Sequence, residues 1–133
     1  MMTEPPGVIF VLVLPNRQVL LQQRDQGAGK NPVQWSFPGG VCEMGETHLQ
    51  TVIRGAKEDF NADLDIAECQ FLMSRKAGRN KVFVCTLPSV KGLKLQSGSA
   101  MQWCSLEEVA ALELGFSQAD ILPGLRKFLD DMW

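Results

Sequence analysis

Two adjacent acids, Glu58 and Asp59, stand near the end of the segment "GETHLQTVIRGAKEDFNADL", which begins at residue 45. In a helix that turns about 100° per residue, both lie on the flank away from the apolar positions, with Gly55 between them. A carboxylate at position 55 would precede the two acids by three and four residues and complete a patch of three. Because Mg²⁺ prefers oxygen ligands and bridges carboxylates to substrate phosphates, such a patch is typical of a magnesium site. Glycine at position 55 leaves only the two acids, and an exposed acidic helix face is the alternative interpretation.

The helix that carries these acids is predicted to begin near His48 and to end at Asn61. Thr47 and Gln50 have the spacing of a capping box. The apolar positions recur with helical spacing and must pack against something apolar: Leu49, Val52, Ile53, Ala56 and Phe60. Glycine inside a helix costs about 1 kcal/mol relative to alanine. Either another group approaches position 55 closely, or a site that is no longer catalytic tolerates this cost.

The rest of the chain alternates strand-like runs with helical patterns. "GVIFVLVL" and "QVLLQQR" around "PNR" predict one hairpin, two runs around "AGRN" predict another, and a further strand ends near Trp103. Ser105 with Glu108 forms a second capping box, and Ser117 is the expected cap of a C-terminal helix. Strands interspersed with helices favour an α/β sandwich around one sheet.

Length and composition exclude several classes of protein. The 133 residues predict a single domain, 1–133, with its own hydrophobic core. A net charge of -2 argues against general nucleic-acid binding. The run "VIFVLVL" is far shorter than the roughly 20 residues that a membrane helix needs, so no membrane association is expected. The leader "MMTEPP" lacks a basic region, which favours the cytoplasm, and four irregularly spaced cysteines favour reduced thiols.

The segment around the acids resembles the box of the Nudix hydrolases, G-x5-E-x7-R-E-U-x-E-E-x-G-U, where U is a bulky aliphatic residue. The residues that coincide with this box are Gly40, Glu46, Arg54 and Glu58. Asp59 replaces the last Glu of the box, Gly55 replaces the Glu after Arg, and Asn61 replaces the closing Gly. "WSFPGG" before the box and "QWCSLEEV" after it also look like Nudix sequence.

The resemblance implies a Nudix-type α/β/α sandwich around a mixed sheet. It also implies hydrolysis of a phosphoanhydride bond in nucleoside triphosphates or other nucleoside diphosphate derivatives, with Mg²⁺ or Mn²⁺ as the cofactor. The metal ligands that it implies are Glu58, Asp59 and the carbonyl of Gly39. Glu46 and Arg54 would order the loop and the helix of the catalytic site, and Arg24, at a strand end, would contact the substrate phosphates.

The carboxylate missing at position 55 separates two functional hypotheses. In the first, the chain is a pyrophosphohydrolase with rearranged metal binding, and the acids that could compensate are Glu43, Glu46, Glu113 and Asp120. In the second, it is a nucleotide-binding or regulatory domain that has lost catalysis. A structural protein without a ligand would leave Arg24, the glycine-rich loop and the acid pair unexplained. The expected partner is a nucleotide-type small molecule, and the oligomeric state is left open.

Overall fold

The computed structural model describes residues 5–23, 34–98 and 100–132. Within these ranges the strands are β1 (Gly7–Val13), β2 (Val19–Gln23), β3 (Trp35–Ser36), β4 (Gly39–Val41), β5 (Cys69–Arg75), β6 (Asn80–Thr86) and β7 (Ala100–Cys104). The α-helices are α1 (His48–Phe60), α2 (Leu106–Ala110) and α3 (Leu122–Met132). Short 3₁₀ segments cover Ile66–Glu68, Lys76–Gly78 and Gly115–Ile121.

These strands form one mixed sheet in the order β3-β2-β1-β6-β5, with β4 beside β1 and β7 beside β2. The central strands β1 and β6 run parallel along their whole length, and the other described pairs are antiparallel. Both predicted hairpins are present, since Val13 faces Val19 across the first and Cys69 faces Cys85 across the second.

The central strand β1 is buried on both faces of the sheet. Because side chains alternate along a strand, Val8, Phe10 and Leu12 lie on one face and Ile9, Val11 and Val13 on the other. The first set packs with Val52, Ala56 and Phe60 of α1, and the second packs with residues of α2 and α3 that include Leu106, Val109, Leu125 and Leu129. The expected α/β/α sandwich around a mixed sheet is therefore confirmed.

Local signals position α1 where the sequence predicted it. Thr47 accepts a hydrogen bond from the amide of Gln50, and the Gln50 side chain accepts one from the Thr47 amide. At the other end Asn61 takes the left-handed conformation, with φ of 54°, and its amide bonds carbonyls of the last turn. The Ser105 and Glu108 capping box of α2 is present as well.

The predicted cap of the C-terminal helix is wrong. Ser117 lies inside the 3₁₀ segment with φ of 57°, and α3 begins at Leu122. The reason is tertiary, because the Arg75 guanidinium donates to the carbonyls of Phe116 and Ser117 and holds this stretch in its left-handed conformation.

Two further expectations concern the cysteines and the membrane. All four cysteines are free, with Cys85 and Cys104 buried and Cys42 and Cys69 partly buried. Among the helices of the described ranges, none has the length and apolar character needed to cross a membrane.

Candidate active site

Arg54 ties the loop that precedes α1 to the helix itself. Its Nε donates to Glu46 Oε2 at 2.7 Å and its Nη2 donates to Oε1 at 2.9 Å, a bidentate pair. Nη2 also donates to the carbonyl of Val41 at 3.1 Å. Nη1 lies 3.2 Å from Glu58 and 3.6 Å from Glu43. One guanidinium therefore joins strand β4, the loop and α1.

Glu46 has a protein partner on every side. Besides Arg54 it accepts hydrogen bonds from Thr51 Oγ1 at 2.7 Å and from the amide of Glu43 at 3.0 Å. These hydrogen bonds lower the pKa of Glu46 from 4.5 to about 2, and the bond with Arg54 has the largest effect. Its side chain is only 15% exposed. The carboxylate is therefore ionised and its oxygens are already used.

Glu58 and Asp59 are less constrained. The Glu58 side chain is 59% exposed and contacts Arg54 along one edge of the helix. Asp59 is partly buried, and among the described residues no cation lies within ion-pair distance of it. Desolvation, followed by repulsion from Glu58, raises the pKa of Asp59. Within the described ranges Asp59 forms no ion pair, and the charge of Arg54 offsets its charge only in part.

The structure adds the degree of burial to the positions that the helical wheel gave. The wheel placed all three on the flank away from the apolar stripe, whereas Asp59 and Gly55 are both partly buried. An ideal Cβ at position 55 would lie 3.3 Å from Cε1 of Phe10. The helix therefore presents this edge to the sheet as well as to solvent.

Strand β4 runs beside α1 and brings the glycine pair next to the helix. Gly39 pairs with Ile9 of β1, and a Cβ at Gly39 would lie 2.4 Å from the Val8 carbonyl oxygen. Only glycine fits this approach, because such a distance is a clash with backbone. Gly40 has open space where its side chain would be. The backbone of the Gly39–Gly40 pair is thus accessible beside the helix that carries the acids.

A cavity of about 240 Å³ opens next to these glycines. Its lining combines backbone of β4 with polar and aromatic side chains, among them Gln22, Phe37, Arg75, Asn80, Phe116 and Gln118. A larger cavity, of about 610 Å³, is lined by Asp63, Asp65 and Glu68 and does not include the glycine pair. Because three acids would repel phosphates, the smaller cavity is the better candidate for a nucleotide.

Two polar side chains of the smaller cavity are fixed by the protein. Arg75 is only 9% exposed and donates to Asp120 at 3.2 Å as well as to the two carbonyls that shape the 3₁₀ segment. Gln118 is buried and bonds both the amide and the carbonyl of Phe37, at 2.6 and 3.3 Å. The wall of the cavity is therefore held in place before any ligand binds.

In the described part of the chain, no other acid takes the place of the carboxylate missing at position 55. Asp120 is engaged by Arg75, Glu46 is engaged by Arg54, and Glu43 lies at the edge of the Arg54 cluster. Residues 5–23, 34–98 and 100–132 contain no group of three His, Cys, Asp or Glu side chains that could hold a metal. Arg24, the predicted phosphate contact, lies outside the described residues.

Sequence reasoning missed the residues that come from distant elements. The predicted hairpin around "AGRN" gave no sign that Arg75, just before its tip, is nearly buried and structural. Gln118 and Phe10 also escaped notice, because each acts through a partner far away in the sequence. The strand alternation of β1 was the one available signal, since it places Phe10 on the face toward α1.

The chain is similar to known proteins over almost its whole length. A NUDIX domain family model matches residues 3–125. The CTP pyrophosphohydrolase of Escherichia coli strain K12 is 26% identical over 125 residues, which are 92% of this chain and 90% of that protein. The NUDIX domain of Shewanella oneidensis NrtR, solved with ADP ribose, has a TM-score of 0.77 at 21% identity and covers 97% of this chain and 90% of its own. A C. elegans Ap4A hydrolase has a TM-score of 0.69 at 21% identity, over 95% of this chain and 97% of its own.

The structural matches show the fold, and the family model spans nearly the whole chain. The Gly39–Gly40 pair, the bidentate Glu46–Arg54 pair and the acids of α1 lie together on adjoining elements within the matched region. This chain belongs to the NUDIX domain family.

Proposed function

We propose that this chain is a divalent-metal-dependent pyrophosphohydrolase that acts on nucleoside triphosphates or other nucleoside diphosphate derivatives. The observation that carries the proposal is the placement of Asp59, a partly buried carboxylate that forms no ion pair with the described residues, beside Glu58 on the helix that packs against strand β4. The name of the curated relative, a CTP pyrophosphohydrolase, supports the same reaction class.

The residues present fit a metal of the magnesium type. Mg²⁺ is commonly bound by one or two carboxylates together with substrate phosphates and water, rather than by a complete protein cage. Glu58 and Asp59 would supply the carboxylates, and the carbonyl of Gly39 would add a further oxygen. When bound, Mg²⁺ or Mn²⁺ supplies Lewis-acid polarisation of the phosphate and activation of a water.

The chain's own residues would prepare this site. Arg54 and Glu46 hold the loop against α1, so that the helix keeps its position relative to the glycine pair of β4. Glu46 is ionised at neutral pH and keeps Arg54 in one orientation. Pre-set geometry of this kind lowers the cost of ordering the reacting groups.

The cavity of about 240 Å³ is the proposed place for the nucleoside. It is smaller than the roughly 300 to 1,000 Å³ of sites that enclose a whole drug-sized ligand. It therefore suits the base and part of the sugar, with the phosphates toward the glycines and the acids of α1. Arg24 remains the proposed phosphate contact.

A second candidate is a NUDIX domain that binds a nucleotide without hydrolysing it. Gly55 favours it, because the resembled family places a carboxylate there. The solved NUDIX domain of NrtR holds ADP ribose, which shows that a related fold can carry a nucleotide-type ligand. General nucleic-acid binding is not proposed, and a cytoplasmic location stays a prediction.

One assay separates the two candidates. Purified protein is incubated with Mg²⁺ or Mn²⁺ and a panel of nucleoside triphosphates, dinucleotides and nucleotide sugars, and the release of phosphate or pyrophosphate is followed. Metal-dependent release from at least one class supports the enzyme. If no phosphate or pyrophosphate is released while calorimetry shows that a nucleotide binds, the result supports the non-catalytic domain and rules out the proposed hydrolase activity.

A further inference from the structure

The ring of Phe10 lies directly beneath position 55 of α1. An ideal Cβ at that position would lie 3.3 Å from Cε1 and 3.7 Å from Cζ of the ring. Carbon atoms attract each other best at about 3.5 to 4.0 Å, so 3.3 Å is repulsive. Any side chain at position 55 therefore requires the ring to give way by a few tenths of an ångström.

The surroundings of Phe10 oppose such a shift. The ring is fully buried and packs edge-to-face against Phe60, with centroids 6.4 Å apart and an interplanar angle of 81°. Val52 and Ala56, on the turns of α1 beside position 55, are fully buried in the same cluster. Because protein interiors are close-packed, a ring with these neighbours has little free volume to move into.

We infer that Phe10 is a positioning residue of the acid site, because its ring reserves position 55 for glycine and so limits the carboxylates to Glu58 and Asp59. Under this inference, position 55 is glycine because the core beneath the helix leaves no room for a side chain. If the glycine were instead the result of unselected change at an exposed position, position 55 would accept a side chain without strain. The inference rests on the proposed function only in taking Glu58 and Asp59 as the residues that hold the cation.

A cation held by two carboxylates keeps coordination positions that substrate phosphates can fill. The protein without nucleotide should therefore hold a divalent cation weakly, and a third carboxylate should strengthen that binding only where the core admits it.

A set of variants at two positions tests the inference: Gly55→Glu, Phe10→Leu, the double variant Phe10→Leu/Gly55→Glu, and Phe10→Leu/Gly55→Gln. Leucine ends at Cδ and removes the ring atoms that face position 55. Thermal unfolding measures how well each chain accepts the new side chain, and electron paramagnetic resonance of free Mn²⁺ measures metal affinity without nucleotide. Glutamine at position 55 is the matched control, because it has the shape of glutamate without its charge.

We expect Gly55→Glu to lower the Tm in the Phe10 background by more than it does in the Phe10→Leu background. We expect the Phe10→Leu/Gly55→Glu protein to bind Mn²⁺ at least about ten-fold more tightly than the Phe10→Leu protein, since a ligand charge has been added. The Phe10→Leu/Gly55→Gln control should show the same small Tm loss as Phe10→Leu/Gly55→Glu but no gain in Mn²⁺ affinity. A single Gly55→Glu protein that does not fold, beside a double variant that does, also supports the inference.

Equal Tm losses in the two backgrounds would overturn the inference. So would a single Gly55→Glu protein that already shows the full gain in Mn²⁺ affinity, or a double variant that folds no better than the single one. These readouts do not need turnover. A chain that hydrolyses no nucleotide would remove the proposed function, while the coupling between positions 10 and 55 could still be measured.

Discussion

The start of the segment, in the loop just before α1, and the end of α1 carry the same kinds of charged residue and use them differently. At the start, Glu46 receives hydrogen bonds from Arg54, Thr51 and the Glu43 amide, and its pKa is lowered to about 2. At the end, Asp59 is partly buried beside Glu58, and its pKa is raised. A carboxylate whose partners are all protein groups maintains structure. A partly buried carboxylate that forms no ion pair with the described residues gains most from an added cation.

The largest effect on activity is expected from Asp59→Asn. This change removes a proposed metal ligand, and loss of Lewis-acid stabilisation should lower the turnover rate on the order of 10²-fold. The Tm should not fall, because the change removes a charge that burial disfavours. Steady-state hydrolysis and thermal unfolding measure the two quantities.

The matched control is Asp63→Asn, an acid whose side chain is 85% exposed and pairs with Lys57. Its turnover rate should equal that of the wild type. Turnover that is lost equally in both variants would show that general acidity, and not the position of Asp59, matters.

Glu46→Gln should lower the Tm and the turnover rate together. The amide keeps the shape of the carboxylate, but its NH₂ replaces one of the two accepting oxygens, so that at least one hydrogen bond from Arg54 is lost. Glu43→Gln is the control, because the Glu43 side chain is 69% exposed and has one contact of 3.6 Å with Arg54. If Glu46→Gln lowers turnover at an unchanged Tm, Glu46 takes part in chemistry rather than in support.

The two carboxylates should give the stability opposite dependences on pH. The pKa of Glu46 is lowered from 4.5 to about 2, so its contribution is present above pH 4.5 and is lost as the pH falls toward 2. The pKa of Asp59 is raised, so the folded state gains relative stability as the pH falls through that pKa. Urea unfolding across the acid range should show a smaller acid loss in Glu46→Gln and a larger one in Asp59→Asn. Identical pH profiles of the two variants would contradict this assignment.

The smallest effect concerns the glycines of two helices. Gly124 of α3 has no atom within 4 Å of an added Cβ, so Gly124→Ala should raise the free energy of unfolding by up to about 1 kcal/mol from helix propensity. Gly55→Ala should gain less or lose stability, because its Cβ meets Phe10 at 3.3 Å. Urea unfolding compares the two. Equal gains would show that the ring of Phe10 yields freely.

The same contrast separates the features that could be predicted from the sequence from those that could not. The limits of α1 followed from local signals, namely the Thr47 capping box, the apolar spacing and the left-handed Asn61. The hairpins followed from runs of β-forming residues around turn sequences, and the sandwich followed from strands interspersed with helices. These signals act within a few residues of the chain, and each was visible in the printed sequence.

The surroundings of the site depend on contacts between distant elements. Phe10 stands 45 positions before Gly55 in the sequence, and Arg75 shapes Phe116 and Ser117 from another strand. Helix periodicity gave the flank on which Asp59 lies. It could not give the burial of Asp59, because periodicity does not include the elements that pack against that edge of the helix. The box residues could be recognised from the sequence, whereas the burial of Asp59 and the reason for a glycine at position 55 needed the packed structure.

The proposed division between a supporting Glu46 before α1 and a metal-binding Asp59 at its end is tested most directly by Mn²⁺ binding at neutral pH. Electron paramagnetic resonance titrations would compare the wild type with Asp59→Asn and Glu46→Gln, without nucleotide and with a non-hydrolysable nucleoside triphosphate analogue. The account predicts that the wild type and Glu46→Gln bind the ion, and that Asp59→Asn loses binding under both conditions while its Tm is kept. Undiminished Mn²⁺ binding by a folded Asp59→Asn protein would contradict it.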